Sequence, residues 1–161
     1  MRLQGLEVTT PGDREIGMSR EFAAPPHLVF EANTRPELLS RWLGVFGGWK
    51  MVECEVDLRV GGAYRYAWSG PNGERMAMAG VFREVEAPTR LVATEKFDDS
   101  WYEGAAETTT EFVARGDRTL LTMTTRYASK AIRDEVMKSP MSEGVGKSFD
   151  TLEALLDEPR A

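Results

Sequence analysis

Val56-Asp57-Leu58-Arg59-Val60-Gly61-Gly62, Ala63-Tyr64-Arg65-Tyr66-Ala67-Trp68, Ser69-Gly70-Pro71-Asn72-Gly73-Glu74 and Arg75-Met76-Ala77-Met78-Ala79-Gly80-Val81-Phe82 follow one another without a break. Gly61-Gly62 and Pro71-Asn72-Gly73 are turn signals, and the runs they separate alternate with the strand period of two. Side chains on a strand repeat every second residue. Tyr64, Tyr66 and Trp68 therefore share one face, and Met76, Met78, Gly80 and Phe82 share a face of the next strand. A face of large rings, soft thioethers and one glycine gap either fills its own core or lines an apolar cavity.

Outward from this stretch, the same reasoning predicts strands at about 50–58, 62–69, 75–86, 90–97, 106–115 and 118–127. Short turns between successive strands imply an antiparallel meander. Upstream, residues 1–7 read as a weakly specified lead-in, a strand or turn is expected near Val8 to Gly12, and a strand over Ile16 to Ala23. Pro25-Pro26 and Pro36-Glu37 each open a short helix, because proline suits the first helical turn. Leu28, Val29, Phe30 and Ala32 give the first an apolar side; Leu38, Leu39, Trp42 and Leu43 do so for the second.

Downstream, Ser129 to Lys138 reads as a short helix. Ser139-Pro140 supplies a capping residue and a proline for a final helix reaching about Asp157. Met141, Val145, Phe149 or Ser148, Leu152 and Leu155-Leu156 mark its buried stripe. No repeat or linker is apparent, so residues 1–161 read as one α+β domain with its core at about 16–156. An amphipathic helix of about five turns needs a sheet to cover, and a strongly curved sheet can wrap it.

Composition narrows the function. Hydrophobic residues make up 42% of the chain and charged residues 29%, ordinary for a globular protein. A formal charge of −6 without basic clusters argues against nucleic acid as a partner. Cys54 is the one cysteine, so no intrachain disulfide forms, and it reads as a small buried hydrophobe. No long apolar stretch suggests a signal peptide or membrane span, and a cytoplasmic location is expected.

The catalytic signatures are sparse. His27 is the single histidine, placed by its helix position on the surface, and no nucleophile elbow occurs. Gly146-Lys147-Ser148 imitates the end of a phosphate loop, but Met141 occupies the first glycine position and the segment is helical. No metal site and no cofactor are expected. Glu53, Glu55 and Asp57 alternate on one strand and read as its solvent side, while Arg59, Arg65 and Arg75 decorate the outer sheet face. Glu95 differs, being an acid in an otherwise apolar strand. Inside an apolar cavity such a group would have a raised pKa and could act as a general acid or base.

Further residues carry a resemblance. They are Phe22-Ala23-Ala24-Pro25, Val29-Phe30, Arg35-Pro36-Glu37, Trp42, Val56 to Gly62, Asn72-Gly73-Glu74, Gly80, Val85-Glu86, Arg90-Leu91-Val92 and Thr119 to Thr122. With Met141, Gly144 and Leu152 in the closing helix, the chain resembles the activator of heat-shock-protein ATPase homologue 1-like family, of the START-like superfamily that includes the birch-pollen allergens and polyketide cyclases. The resemblance covers about residues 16–156. It implies a helix-grip fold, with a curved antiparallel sheet around the long C-terminal helix, two short helices after the first strand, and an apolar cavity between sheet and helix. It carries over no catalytic residues. The eukaryotic co-chaperone has a separate N-terminal chaperone-binding domain, for which this chain has no room, so co-chaperone activity is not expected from the family name.

The expectation is a binding module that holds an apolar or aromatic small molecule. Tyr64, Tyr66 and Trp68 form one wall, Met78 and Phe82 another, and Trp42 and Trp101 guard the mouth. Met141 and Val145 supply the helix side, with Gly144 and Gly146 leaving room beside them. Trp49, Phe97 and Met123 complete the lining. A cyclase or dehydratase acting through Glu95, and a protein-interaction module, are the alternatives. A homodimer is left open.

Overall fold

The computed structural model describes residues 5–159. Turn chemistry lays down the sheet. In the Pro71-Asn72-Gly73 turn, Gly73 takes φ +83°, a left-handed conformation that glycine adopts without a Cβ clash. The strands are β1 (Glu7–Thr9), β2 (Glu15–Phe22), β3 (Lys50–Val56), β4 (Ala63–Ser69), β5 (Arg75–Glu86), β6 (Arg90–Phe97), β7 (Ala106–Arg115) and β8 (Arg118–Arg126). Between β2 and β3 lie α1 (Pro26–Thr34) and α2 (Pro36–Leu39); α3 (Lys130–Met137) and α4 (Met141–Leu156) close the chain. All neighbouring strands are antiparallel, in the order β1-β2-β8-β7-β6-β5-β4-β3. This is the helix-grip arrangement, a curved sheet with the long helix on one side.

Register decides which side chains face α4. One row runs Phe82, Ala93, Thr108, Thr125, Ile16 across five strands. Its neighbour pairs Glu95 with Ala106, and farther out Cys54 pairs with Tyr66 and Tyr66 with Met78. The helix meets this inner face through Phe149, whose ring packs edge-on against Phe22 at 5.4 Å and tilted against Trp42 at 6.1 Å. Leu152 of α4 is fully buried beside them. Packing of this amphipathic stripe, rather than helix propensity, holds α4 in place. An ion pair reinforces it: the buried Arg20 guanidinium on β2 donates to Asp150 at 2.8 Å and lies 3.9 Å from Glu153.

Several expectations shift. The lead-in ends earlier than predicted, because Glu7–Thr9 pairs with β2 as β1; residues 1–4 lie outside the described residues. Strand β3 stops at Val56, and Arg59 sits in the β3–β4 connection rather than on the sheet, its guanidinium paired with Asp57. Arg65 and Arg75 do lie on the outer face, near Glu53. Helix α4 begins one residue late. Pro140 takes the N-cap position, while the Ser139 hydroxyl donates to the Val136 carbonyl and so finishes the turn after α3. Ser129 caps α3 through a bond from the Ile132 N–H at 3.1 Å.

Gly80 is a point of close approach. The Tyr64 ring crosses it, and the Tyr64 hydroxyl donates to the Thr94 carbonyl of β6 at 2.6 Å. A Cβ at position 80 would overlap that carbonyl oxygen and crowd the Tyr64 ring. Gly80→Ala is expected to destabilise the fold by about 1–3 kcal/mol, measured as a lower urea midpoint. An unchanged midpoint would show that β5 and β6 can separate at no cost.

Candidate ligand-binding site

The inner face has two hydrophobic clusters. The larger gathers Phe22, Trp42, Tyr64, Tyr66, Trp68, Phe82, Phe149 and Leu152; the smaller gathers Ile16, Met18, Ala106, Tyr127 and Val136. Met123 and Val145 touch both, and each keeps some accessible surface although strand and helix enclose it. Met78 on β5 and Met141 on α4 are half-buried in the same way. Leu6, Met123 and Val145 thus bridge the two clusters.

Glu95 stands in this region. Burial raises its carboxyl pKa above the ordinary 4.5, and a hydrogen bond from Thr108 opposes the rise only in part. That bond is long, 3.5 Å from Thr108 Oγ1 to Glu95 Oε2, and Thr108 also shares a 3.1 Å bond with Thr125 Oγ1. Among the described residues, the one fully enclosed side-chain polar atom without a partner is Glu153 Oε2. Glu95 Oε1, which has no bond to a described residue either, thus borders open space. Glu95 is thus a half-buried carboxyl on the inner face, raised by desolvation and held by a single long hydrogen bond.

All four tyrosines of the chain feel this charge. For Tyr64, Tyr102 and Tyr127 burial raises the hydroxyl pKa first and Glu95 second; for Tyr66 burial leads, followed by Cys54 and then Glu95. Their rings form two arcs. Tyr64 lies 4.9 Å from Tyr66 and 5.5 Å from Phe82, and Tyr66 meets Trp68 edge-on at 6.0 Å. On the other side Trp101 packs edge-on against Tyr102 at 5.0 Å, and Tyr102 against Tyr127 at 5.9 Å. The Tyr127 hydroxyl reaches Met141 Sδ at 3.9 Å, which ties this arc to the start of α4. The Tyr66 and Tyr102 hydroxyls make no hydrogen bond to the described residues.

The predicted lining residues divide. Tyr64, Tyr66, Met78, Met123, Met141 and Val145 lie on the inner face or on α4 around this region. Phe97 is the inner-face neighbour of Met78, and Trp101 is exposed on the β6–β7 loop, at the outer end of the second arc. Trp68 and Phe82 are buried in the larger cluster, where Trp68 donates to the Leu43 carbonyl at 2.8 Å. Trp42 does not guard a mouth. It is 2% exposed and donates to the Ala32 carbonyl at 2.8 Å, so it is a core residue locking α1 to the segment after α2. Trp49 packs near Gly70 at the edge of the sheet. Gly144 faces Phe46 of the α2–β3 connection, so its space goes to that loop rather than to room beside Met141 and Val145.

Tyr127, Thr108 and Thr125 also border this region and are absent from the predicted lining. Cys54 faces inward opposite Tyr66; burial, then the Glu37 charge, push its thiol up to about 11, so it is a poor nucleophile. His27 is exposed. Among the described residues no group of three or more His, Cys, Asp or Glu is placed to hold a metal ion. Two clefts open on the outside. One of about 210 Å³ lies between α1, α2 and the end of α4, where Arg41 pairs with Glu158; the other, of about 320 Å³, is flanked by Arg14, Arg83 and Arg126. Neither contains Glu95, whose half-buried, perturbed carboxyl lies on the inner face instead.

A helix-grip protein with a half-buried acid on its inner face is the class that fold and site define. The profile of the family described as activator of Hsp90 ATPase homolog 1-like protein matches residues 23–157, and the chain belongs to that family. Solved structures with the same fold include a Rhodobacter sphaeroides protein, 29% identical, with TM-score 0.88 over 96% of this chain and 100% of that one. A Nitrosomonas europaea protein is 28% identical with TM-score 0.80, over 91% of this chain and 96% of that one. An HSP90 activator from Plasmodium falciparum is 26% identical with TM-score 0.63, over 92% and 99%. No curated protein matches the chain significantly. No helix among the described residues is long and apolar enough to cross a membrane.

Burial of Glu95 has a measurable sign. Its folded pKa lies above the ordinary 4.5 of the unfolded chain, so its contribution to stability is fully present below that pH and is lost as pH rises through the folded value. Glu95→Gln, which cannot ionise, should melt at a higher temperature than the parent at pH 8, with the gap closing toward pH 4. A gap independent of pH would contradict the assignment.

Proposed function

We propose that this protein binds an apolar or aromatic small molecule between the inner face of the sheet and α4. The observation that carries this reading is Glu95, a desolvated carboxyl with one long hydrogen bond and an unbonded oxygen, set among aromatic rings and thioethers. Apolar walls with a few placed polar groups are the usual make-up of a ligand site. Methionines at positions 78, 123 and 141 adapt to irregular shapes and suit a site that accepts related ligands. Tyr66, Met78, Met123 and Val145 form the walls in this reading, Glu95 and Thr108 orient the ligand, and Trp101 with Tyr102 covers the entrance.

A second reading has one observation in its favour. The Plasmodium falciparum relative is described as an HSP90 activator, which supports a chaperone-binding role for this chain as well. The two readings separate cleanly. Met141→Trp would fill the cavity from the helix side and leave the outer surface unchanged. It is expected to abolish a co-purified or added ligand in native mass spectrometry, with the thermal midpoint kept within a few degrees. Retention of ligand by this variant would count against the cavity. Capture of a chaperone at equal strength by parent and variant would favour the protein-interaction role.

A further inference from the structure

We propose that the ligand of this cavity carries a basic nitrogen, an aryl-alkyl ammonium whose charge pairs with Glu95 while its apolar part lies among Tyr66, Met78 and Met123. The inference rests on the cavity reading above and adds the ligand's charge to it.

The argument starts from what surrounds the carboxyl. From β4 come Tyr64 and Tyr66, from β3 Cys54, from the β6–β7 loop Tyr102, and from the end of β8 Tyr127. Thr108 and Thr125 stand on β7 and β8, and α4 contributes Met141 and Val145, which carry no charge. Arg20 on β2 is already paired with Asp150 and Glu153 of α4. Arg20 pairs in register with Leu121, four residues along β8 from Thr125, so it stands away from the Thr108–Thr125 row beside Glu95. Glu95 therefore has no cation of its own among the described residues.

A buried carboxylate without a counter-charge is strongly disfavoured, and a ligand that supplies the charge recovers that lost stabilisation on binding. The remaining walls favour a cation for a second reason. Aromatic faces attract cations through the ring quadrupole, and all four tyrosines lie within electrostatic reach of Glu95. The unbonded Tyr66 and Tyr102 hydroxyls offer acceptor oxygens to N–H groups. An anionic ligand would meet Glu95 and a chain of net charge −6 with no basic side chain in the cavity. A neutral ligand would fit only the protonated acid. Charge complementarity thus selects the amine.

The test compares 2-phenylethylamine with its uncharged analogue 2-phenylethanol at pH 7.5, read by methyl NMR of protein labelled at its methionines. The amine should shift the Met78 and Met123 methyl signals at a concentration at least about tenfold below that required for the alcohol. This preference should disappear in Glu95→Gln, whose remaining methyl spectrum should match the parent and so report an intact fold. In the parent, amine affinity should rise as pH increases through the titration of Glu95, because binding needs the ionised carboxylate. Glu95→Asp, which keeps the charge on a shorter side chain, should retain the preference in weakened form. Equal binding of the two probes, or a preference that survives Glu95→Gln, overturns the amine and leaves the cavity standing. Failure of both probes to move the cavity methyls overturns the amine and the cavity together.

Discussion

Moving a carboxylate from water into a protein interior costs several kcal/mol unless a cation or a full set of hydrogen bonds compensates. Glu95 has one long bond from Thr108 and, among the described residues, no cation. The inner face is organised around that imbalance. The row Phe82, Ala93, Thr108, Thr125 and Ile16 passes beside the acid, and the four tyrosines lie within its electrostatic reach. A core built only for stability would replace such a group with leucine or valine. Its presence on the inner face is the strongest physical sign that this face does more than pack.

The rest of the fold fixes α4 against the sheet. Phe22, Trp42, Phe149 and Leu152 clamp the C-terminal half of α4 to the sheet, and the Arg20–Asp150 pair secures the same half. At the other end α4 begins at Met141, whose sulfur meets Tyr127 rather than the floor of the sheet. The helix is thus pinned firmly at one end and propped by rings at the other. The Trp101–Tyr102–Tyr127 arc lies at the propped end, with Trp101 reaching solvent.

The fold could be read from the sequence because its signals are local. Turns at Gly61-Gly62 and Pro71-Asn72-Gly73 and the alternation of Tyr64, Tyr66 and Trp68 give strand positions and a common face directly. Glu95 could be read too, since an acid in an apolar strand stands out by itself. Depth could not. Helical spacing shows that Trp42 has an apolar side but not that Ala32 waits for its indole N–H. Thr108 and Thr125 look like ordinary strand residues until the register of β6, β7 and β8 sets them beside Glu95. Tyr102 lies in an irregular loop and Tyr127 just beyond a strand end, positions where no period assigns a face. Gly144 has open space around it in a helix taken alone, and only the α2–β3 connection, far away in sequence, fills that space with Phe46.

Titration of the Glu95 side-chain carboxyl by carbon-13 NMR, with Glu95→Gln used to assign the signal, decides whether this acid is desolvated on the inner face. The account predicts a midpoint clearly above the ordinary 4.5 in the ligand-free protein. A midpoint at or below 4.5 would mean that the carboxyl is solvated or paired, and would contradict the cavity and the functional reading built on it.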